Sequence, residues 1–185
     1  MKKVFILVFF LQLMFAATAA TNDKLKNMTL LELFNHQYYT YICDRRWQYI
    51  NKYNNKREDL LSLVAYACLK KRFLTPALDL AKVLKTTKEG RRNATYIVTL
   101  FLMKKLIIQY FNDGLSLKSI KLPKITDNTL GIVFDYIEKG DFKKDGEYMI
   151  INASPFVYKV TVSKNNNVII ETYKDDKMIK REYFW

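Results

Sequence analysis

Two cysteines, one histidine and a scatter of carboxylates are the residues of this 185-residue chain whose types could do chemistry. Cys43 and Cys68 are the whole cysteine complement. Each falls on a stretch with helical apolar spacing. Their midpoint, between residues 55 and 56, lies in Asn54-Asn55-Lys56, which favours a turn over a helix interior. In an antiparallel helical hairpin, residues equidistant from the turn sit at one height. The spacing therefore predicts a disulfide that closes a loop of about 25 residues and contributes about 3 kcal/mol by the chain-entropy argument. A redox-active pair would need C-x-x-C spacing and a stabilised thiolate.

His36, between Asn35 and Gln37, is the single histidine. A Ser/His/Asp or Cys/His mechanism would have to use it, and it has no second metal ligand at usable spacing. No G-x-S-x-G, phosphate loop, H-E-x-x-H or EF-hand pattern occurs. Glu32, Glu58, Glu138, Glu147 and Glu171 would have to supply the two carboxylates of a glycosidase, and their spacing selects no pair. The expectation is a non-catalytic chain with no metal and no small-molecule cofactor. An envelope enzyme such as a cell-wall hydrolase working through surface carboxylates is the alternative.

The compartment in which these residues work is set by the first stretch. Lys2 and Lys3 precede an apolar run from Val4 to Phe15, interrupted only by Gln12, and Ala17-Thr18-Ala19 follows with the small residues of a cleavage site. Residues 1–20 are thus expected to be a cleaved signal peptide, giving a periplasmic or secreted protein. The formal charge is +13, from 31 Lys and Arg against 18 Asp and Glu. Without the two signal lysines it is 29 minus 18, or +11. Such an excess keeps a surface solvated, or draws the protein to anionic envelope polymers, lipid headgroups or an acidic partner. Nucleic acid is not an expected partner, since export separates the two and no recognition motif is present.

The elements that must position these residues divide the chain at about residue 142. Residues 21–142 have helical texture. Apolar and aromatic residues from Leu30 to Tyr53 recur at steps of three, four and seven, which predicts one helix of about 25 residues. A second helix is expected over 57–73, a third from Thr75-Pro76 to about Lys85, and a fourth from Asn93 to Asn112 with Gly114 as its stop. The fourth is apolar on almost every side except Lys104, Lys105 and Gln109, and is expected at the centre; as a membrane span its paired lysines would be costly. Asp127 or Asn128 should cap a short fifth helix ended by Gly140. Residues 143–185 change to short β-branched and aromatic runs, EYMIINA, FVYKVTVS, VIIETYK and KMIKREYFW, separated by turn residues. The expected fold is α+β and predominantly α: an N-terminal antiparallel bundle of αα-hairpins, about five helices, with a C-terminal antiparallel meander of three to four strands packed on it.

Residues 58–91 carry Ala65, Cys68, Ala77 and Ala81 at the spacing of one αα-hairpin repeat. The segment resembles a single tetratricopeptide or Sel1-like unit. It departs from the pattern at Cys68, where an aromatic belongs, at Ala81, where a bulky residue belongs, and at Glu89, near where a proline would close the unit. The resemblance implies a helical scaffold used for protein binding. Candidate partner-binding residues are Tyr38, Tyr41, Arg45, Arg46 and Tyr49 on the first helix and the terminal Tyr183, Phe184 and Trp185, which either pack on the helices or dock a partner. An exported scaffold module with an envelope protein partner is the leading expectation; a basic protein binding anionic polymers is the other non-catalytic one.

Overall fold

The computed structural model describes residues 25–53, 56–118 and 120–185. The expected signal segment 1–20 and Asn54-Asn55 of the expected turn lie outside the described residues.

The long helix expected over Leu30 to Tyr53 is three short ones: α1 (Leu30–Asn35), α2 (Tyr39–Asp44) and α3 (Arg46–Tyr53). Thr29 and Glu32 form a capping box that starts α1, with the Thr29 amide donating to Glu32 Oε2 at 2.7 Å and the Glu32 amide to Thr29 Oγ1 at 3.2 Å. The break after α1 is a Schellman turn: Gln37 is left-handed (φ 59°), its amide donates to the Phe34 carbonyl, and the Tyr38 amide to that of Leu33. Such a turn usually holds glycine, so the apolar stripe runs through it with nothing in the sequence to mark it.

The next two helices, α4 (Glu58–Lys70) and α5 (Leu74–Ala81), form the expected hairpin. Ala65, Ala67, Ala77 and Ala81 are buried and allow close packing. Thr75 and Pro76 fall in the first turn of α5, two residues deeper than expected because Phe73 is the cap, where amides lack intrahelical partners and Pro76 costs no bond. Cys43 of α2 and Cys68 of α4 form a disulfide, Cα atoms 5.0 Å apart and both side chains fully buried.

Helix α6 (Lys88–Asp113) starts at Thr87, not at Asn93. Thr87 Oγ1 accepts the Gly90 amide at 2.9 Å, while Asn93 lies inside the helix and donates to Ser62 Oγ of α4 at 3.0 Å. By length and composition α6 could cross a membrane. Here Ile97, Leu100, Met103 and Ile107 sit in the core, and Val98, Leu102, Lys105 and Gln109 form one wet stripe. Lys104 is also buried, and burial followed by the neighbouring Lys105 lowers its ammonium pKa. Gly114 (φ 69°) ends α6 as expected, and α7 (Thr129–Lys139) is capped by Asn128, which accepts the Leu130 amide at 3.0 Å.

The sheet has five strands rather than three or four: β1 (Lys143–Asp145), β2 (Tyr148–Ala153), β3 (Phe156–Val162), β4 (Val168–Lys174) and β5 (Lys177–Phe184). They follow chain order, all antiparallel. The extra strand β1 is Lys-Lys-Asp, wholly exposed, a charged edge of the kind that resists further pairing. Met149, Ile151, Tyr158, Val160, Val168, Ile170 and Phe184 are buried from the sheet side, in one core continuous with the helices. At the far edge Trp185 is fastened to the α4–α5 turn: its amide donates to the Arg72 carbonyl at 3.1 Å, and its carbonyl accepts the Leu74 amide at 3.2 Å.

Candidate functional site

That fastening brings β5 beside α4 and α6 and, with the segment 123–129 ahead of α7, encloses a cleft of about 870 Å³. This lies within the range of ligand sites, roughly 300–1,000 Å³. Lys70, Arg72, Arg92, Lys124 and Lys180 line it, with Tyr66 and Tyr96 in its walls. Asp127 is the one acid among the lining residues, and it accepts the Tyr96 hydroxyl at 3.0 Å. Burial first, and then Asp127, push the Tyr96 hydroxyl pKa well up, so it stays a donor at ordinary pH.

Arg72 makes the most polar contacts of the cleft cations. It occupies the left-handed position of a second Schellman turn (φ 62°), where the Phe73 amide donates to Cys68 and its own to Leu69. A non-glycine residue there is strained by about 1–2 kcal/mol, and its side chain supplies the compensation. Nε and a terminal nitrogen of Arg72 both engage Glu182 Oε1, and the other terminal nitrogen donates to the Leu69 carbonyl at 3.0 Å. Lys180 meets the same carboxylate at 3.0 Å. Glu182 is buried, which pushes its carboxyl up, but Thr129, Lys180 and Arg72 outweigh burial and hold it below its usual range. Its Oε2 has no hydrogen-bond partner among the described residues.

The remaining cations are less engaged. Arg92 is exposed and makes no ion pair among the described residues. Lys70 lies 4.9 Å from the Tyr66 ring, and Lys124 is a mostly exposed partner of Asp135 at 3.5 Å. Exposed pairs of this kind contribute little and leave the charge available.

No family model, curated protein or solved structure matches the chain. The arrangement of its residues therefore carries the functional reading.

A second concavity of about 510 Å³ is lined by Gln37 to Tyr41 with Lys70 and Lys71, and takes in the expected residues Tyr38 and Tyr41. The other expected residues lie outside both concavities. Arg45 stacks 3.5 Å over Tyr41, Arg46 pairs with Asp79 at 2.9 Å, and Tyr49 stacks on Tyr53 with ring centroids 6.2 Å apart. Tyr183 and Trp185 are exposed and stack on each other at 6.1 Å. Phe184, by contrast, is fully buried: alternation along β5 turns it into the core, which removes it from any docking surface.

His36 is an exposed helix cap beside Tyr38. None of Glu32, Glu58, Glu138, Glu147 and Glu171 lines either concavity. Glu58 is buried in a structural clasp, and Glu171 is held by the Tyr173 hydroxyl at 2.9 Å and Arg181 at 3.3 Å. No group of three or more metal-ligating side chains is gathered among the described residues. None of the charged and aromatic residues that line the cleft, Tyr66, Lys70, Arg72, Arg92, Tyr96, Lys124, Asp127 and Lys180, was an expected site residue, nor was Glu182 behind Arg72. Arg92 and Tyr96 stand four apart on one face of α6, but the expected helix began only at Asn93, so the pairing was not visible.

Proposed function

We propose that the protein is an exported, non-catalytic binding module of the cell envelope whose cleft takes an anionic envelope component. The observation that carries this reading is the lining of the cleft, five cations with Asp127 as the one acid among them; Glu182 and Asp135 beside it offset part of the charge of Arg72, Lys180 and Lys124, and Lys70 and Arg92 make no ion pair among the described residues. Converging cations in a cleft concentrate anions and speed their capture. Arg72 and Lys180, held by Glu182, give the cleft a fixed side, and the exposed Arg92 and Lys124 add charge open to solvent. No cofactor enters this reading. The hydrolase alternative is less well supported, since the expected glutamates stand on separate elements away from the cleft.

A second reading is a scaffold for an envelope protein partner. It is favoured by Met178, Ile179, Tyr183 and Trp185, all exposed on or beside the edge strand β5.

Retention on isolated cell walls and membranes, measured against salt, tests the first reading. Retention should fall steeply as salt rises, because exposed charges are screened beyond a Debye length of roughly 8 Å at physiological ionic strength. Arg92→Glu with Lys124→Glu should abolish it. Salt-insensitive retention that survives both substitutions, but is lost in Trp185→Ala, would favour the protein-partner reading instead.

A further inference from the structure

Building on the cleft as an anion site, we propose that the two concavities form one track for an extended anionic glycan, a sugar chain bearing carboxylate or phosphate groups along its length. Lys70 lines both concavities. Its ammonium stands 4.9 Å from the Tyr66 ring, which belongs to the larger one. From Tyr66 the aromatic surface continues. The Tyr66 and Phe34 ring centroids are 5.9 Å apart, those of Phe34 and Tyr39 are 5.2 Å apart, and Tyr39 lines the smaller concavity. The ground between the two is therefore an aromatic row with a lysine beside it.

The occupant follows from the alternation of faces and charges. Sugar rings present flat C–H faces that meet the electron-rich face of an aromatic ring, while acid groups on the same chain meet Lys and Arg. Arg92 and Lys180 lie in the cleft, Tyr66 and Lys70 on the ground between, and Tyr38 and Lys71 beyond. An acidic peptide would use the cations but leave the rings unmet; Tyr66 and Tyr38 are 46% and 41% exposed. Single-stranded nucleic acid would use both features, but the proposed export would bring the chain to it only rarely. The larger concavity alone has the size of a small-ligand site, so the adjoining second one calls for a longer occupant.

Calorimetric titration of the full chain with oligogalacturonates of two, four and eight sugars tests the track. Affinity should rise about tenfold or more from dimer to octamer, as linked subsites are filled by one molecule. Lys71→Ala should remove most of that gain and leave the dimer unchanged. Tyr66→Ala should weaken the octamer but not polyglutamate. Thermal melting of these surface variants checks that they fold as the parent does. An octamer that binds no tighter than the dimer, while the dimer still depends on Arg92, would overturn the track and leave the cleft standing. Tighter binding of oligothymidylate or polyglutamate than of the octamer would overturn the glycan. If no anion binds at low salt, both the track and the anionic cleft fail.

Discussion

Thr87 donates both its amide and its hydroxyl to Glu58 Oε2, at 2.7 and 2.6 Å, while Glu58 Oε1 accepts the amides of Lys85 and Thr86 at 2.8 and 2.6 Å. One buried carboxylate in the first turn of α4 thus closes the α5–α6 loop and sits at the start of α6, where the helix dipole favours negative charge. Gly90 is required beside it, since a Cβ there would stand 2.2 Å from Glu58 Oε2.

Glu58 should therefore be a stability residue with an acid signature. Burial alone would raise its pKa, but the Thr87 hydroxyl and the three amides bring it from 4.5 down to about 2. With the folded value below the unfolded one, its contribution is full above the ordinary carboxylate range and is lost as pH falls from about 4.5 towards 2. Glu58→Gln should cost about 2–3 kcal/mol at pH 7 and flatten acid unfolding over that window, as measured by urea denaturation at a series of pH values. Equal acid sensitivity in parent and variant would show that the clasp does not carry the effect.

The Cys43–Cys68 bond should be required for full stability, though not for the fold. It spans 25 residues, and its loss should lower stability by about 2–4 kcal/mol. Ile42, Val64 and Leu61 remain packed around the site to hold the helices together. Cys43→Ser and Cys68→Ser should melt lower than the oxidised parent and alike, with unchanged far-ultraviolet dichroism. Peptide mapping without reductant should recover the two cysteines joined; two free thiols would contradict the assignment.

At Arg72 two effects oppose each other. Arg72→Ala keeps the left-handed strain and leaves Glu182 buried without its main partner, a loss of about 3 kcal/mol. Arg72→Gly loses the same pair but relaxes the backbone, and should be about 1 kcal/mol more stable than the alanine variant. Denaturation midpoints of the two variants decide this. If both match the parent, the Arg72–Glu182 pair does not fasten β5 to the α4–α5 turn.

These positions show why sequence reading reached part of the fold. The Cys43–Cys68 pairing was expected and is present, although the continuous first helix assumed by the midpoint rule is broken at Arg45. The end of α6 followed from Gly114, and α7 from Asn128 and Gly140, because local residue chemistry sets each of them. The break at Gln37 is a left-handed turn without glycine, so no propensity marked it; Arg72 makes the same kind of turn, and there Thr75-Pro76 just beyond it was the signal. Thr87 starts α6 with the help of Glu58, a contact across 29 residues that no local window contains. The three charged residues of β1 form a strand only because β2 offers them an edge. The cleft was hidden for the same reason, since Arg72, Arg92, Lys124 and Lys180 come from separate segments and meet only once β5 is tied to the α4–α5 turn.

Tyr96 should govern the charge of the cleft without carrying charge itself. Its hydroxyl occupies Asp127, the one carboxylate of the lining. Tyr96→Phe would remove the hydroxyl dipole that offsets part of the Asp127 charge, at a stability cost of about 1 kcal/mol for the lost hydrogen bond. Repulsion of about 1 kcal/mol in a solvated cleft corresponds to roughly fivefold weaker binding of an anionic ligand. The loss should shrink as salt rises. Adding Asp127→Asn to Tyr96→Phe should restore the affinity while leaving stability reduced, which separates an electrostatic effect from a general loosening. Titration of the two variants with the same oligogalacturonate at low and high salt reads this directly. Weak binding that persists in the double variant would place the role of Tyr96 in packing instead.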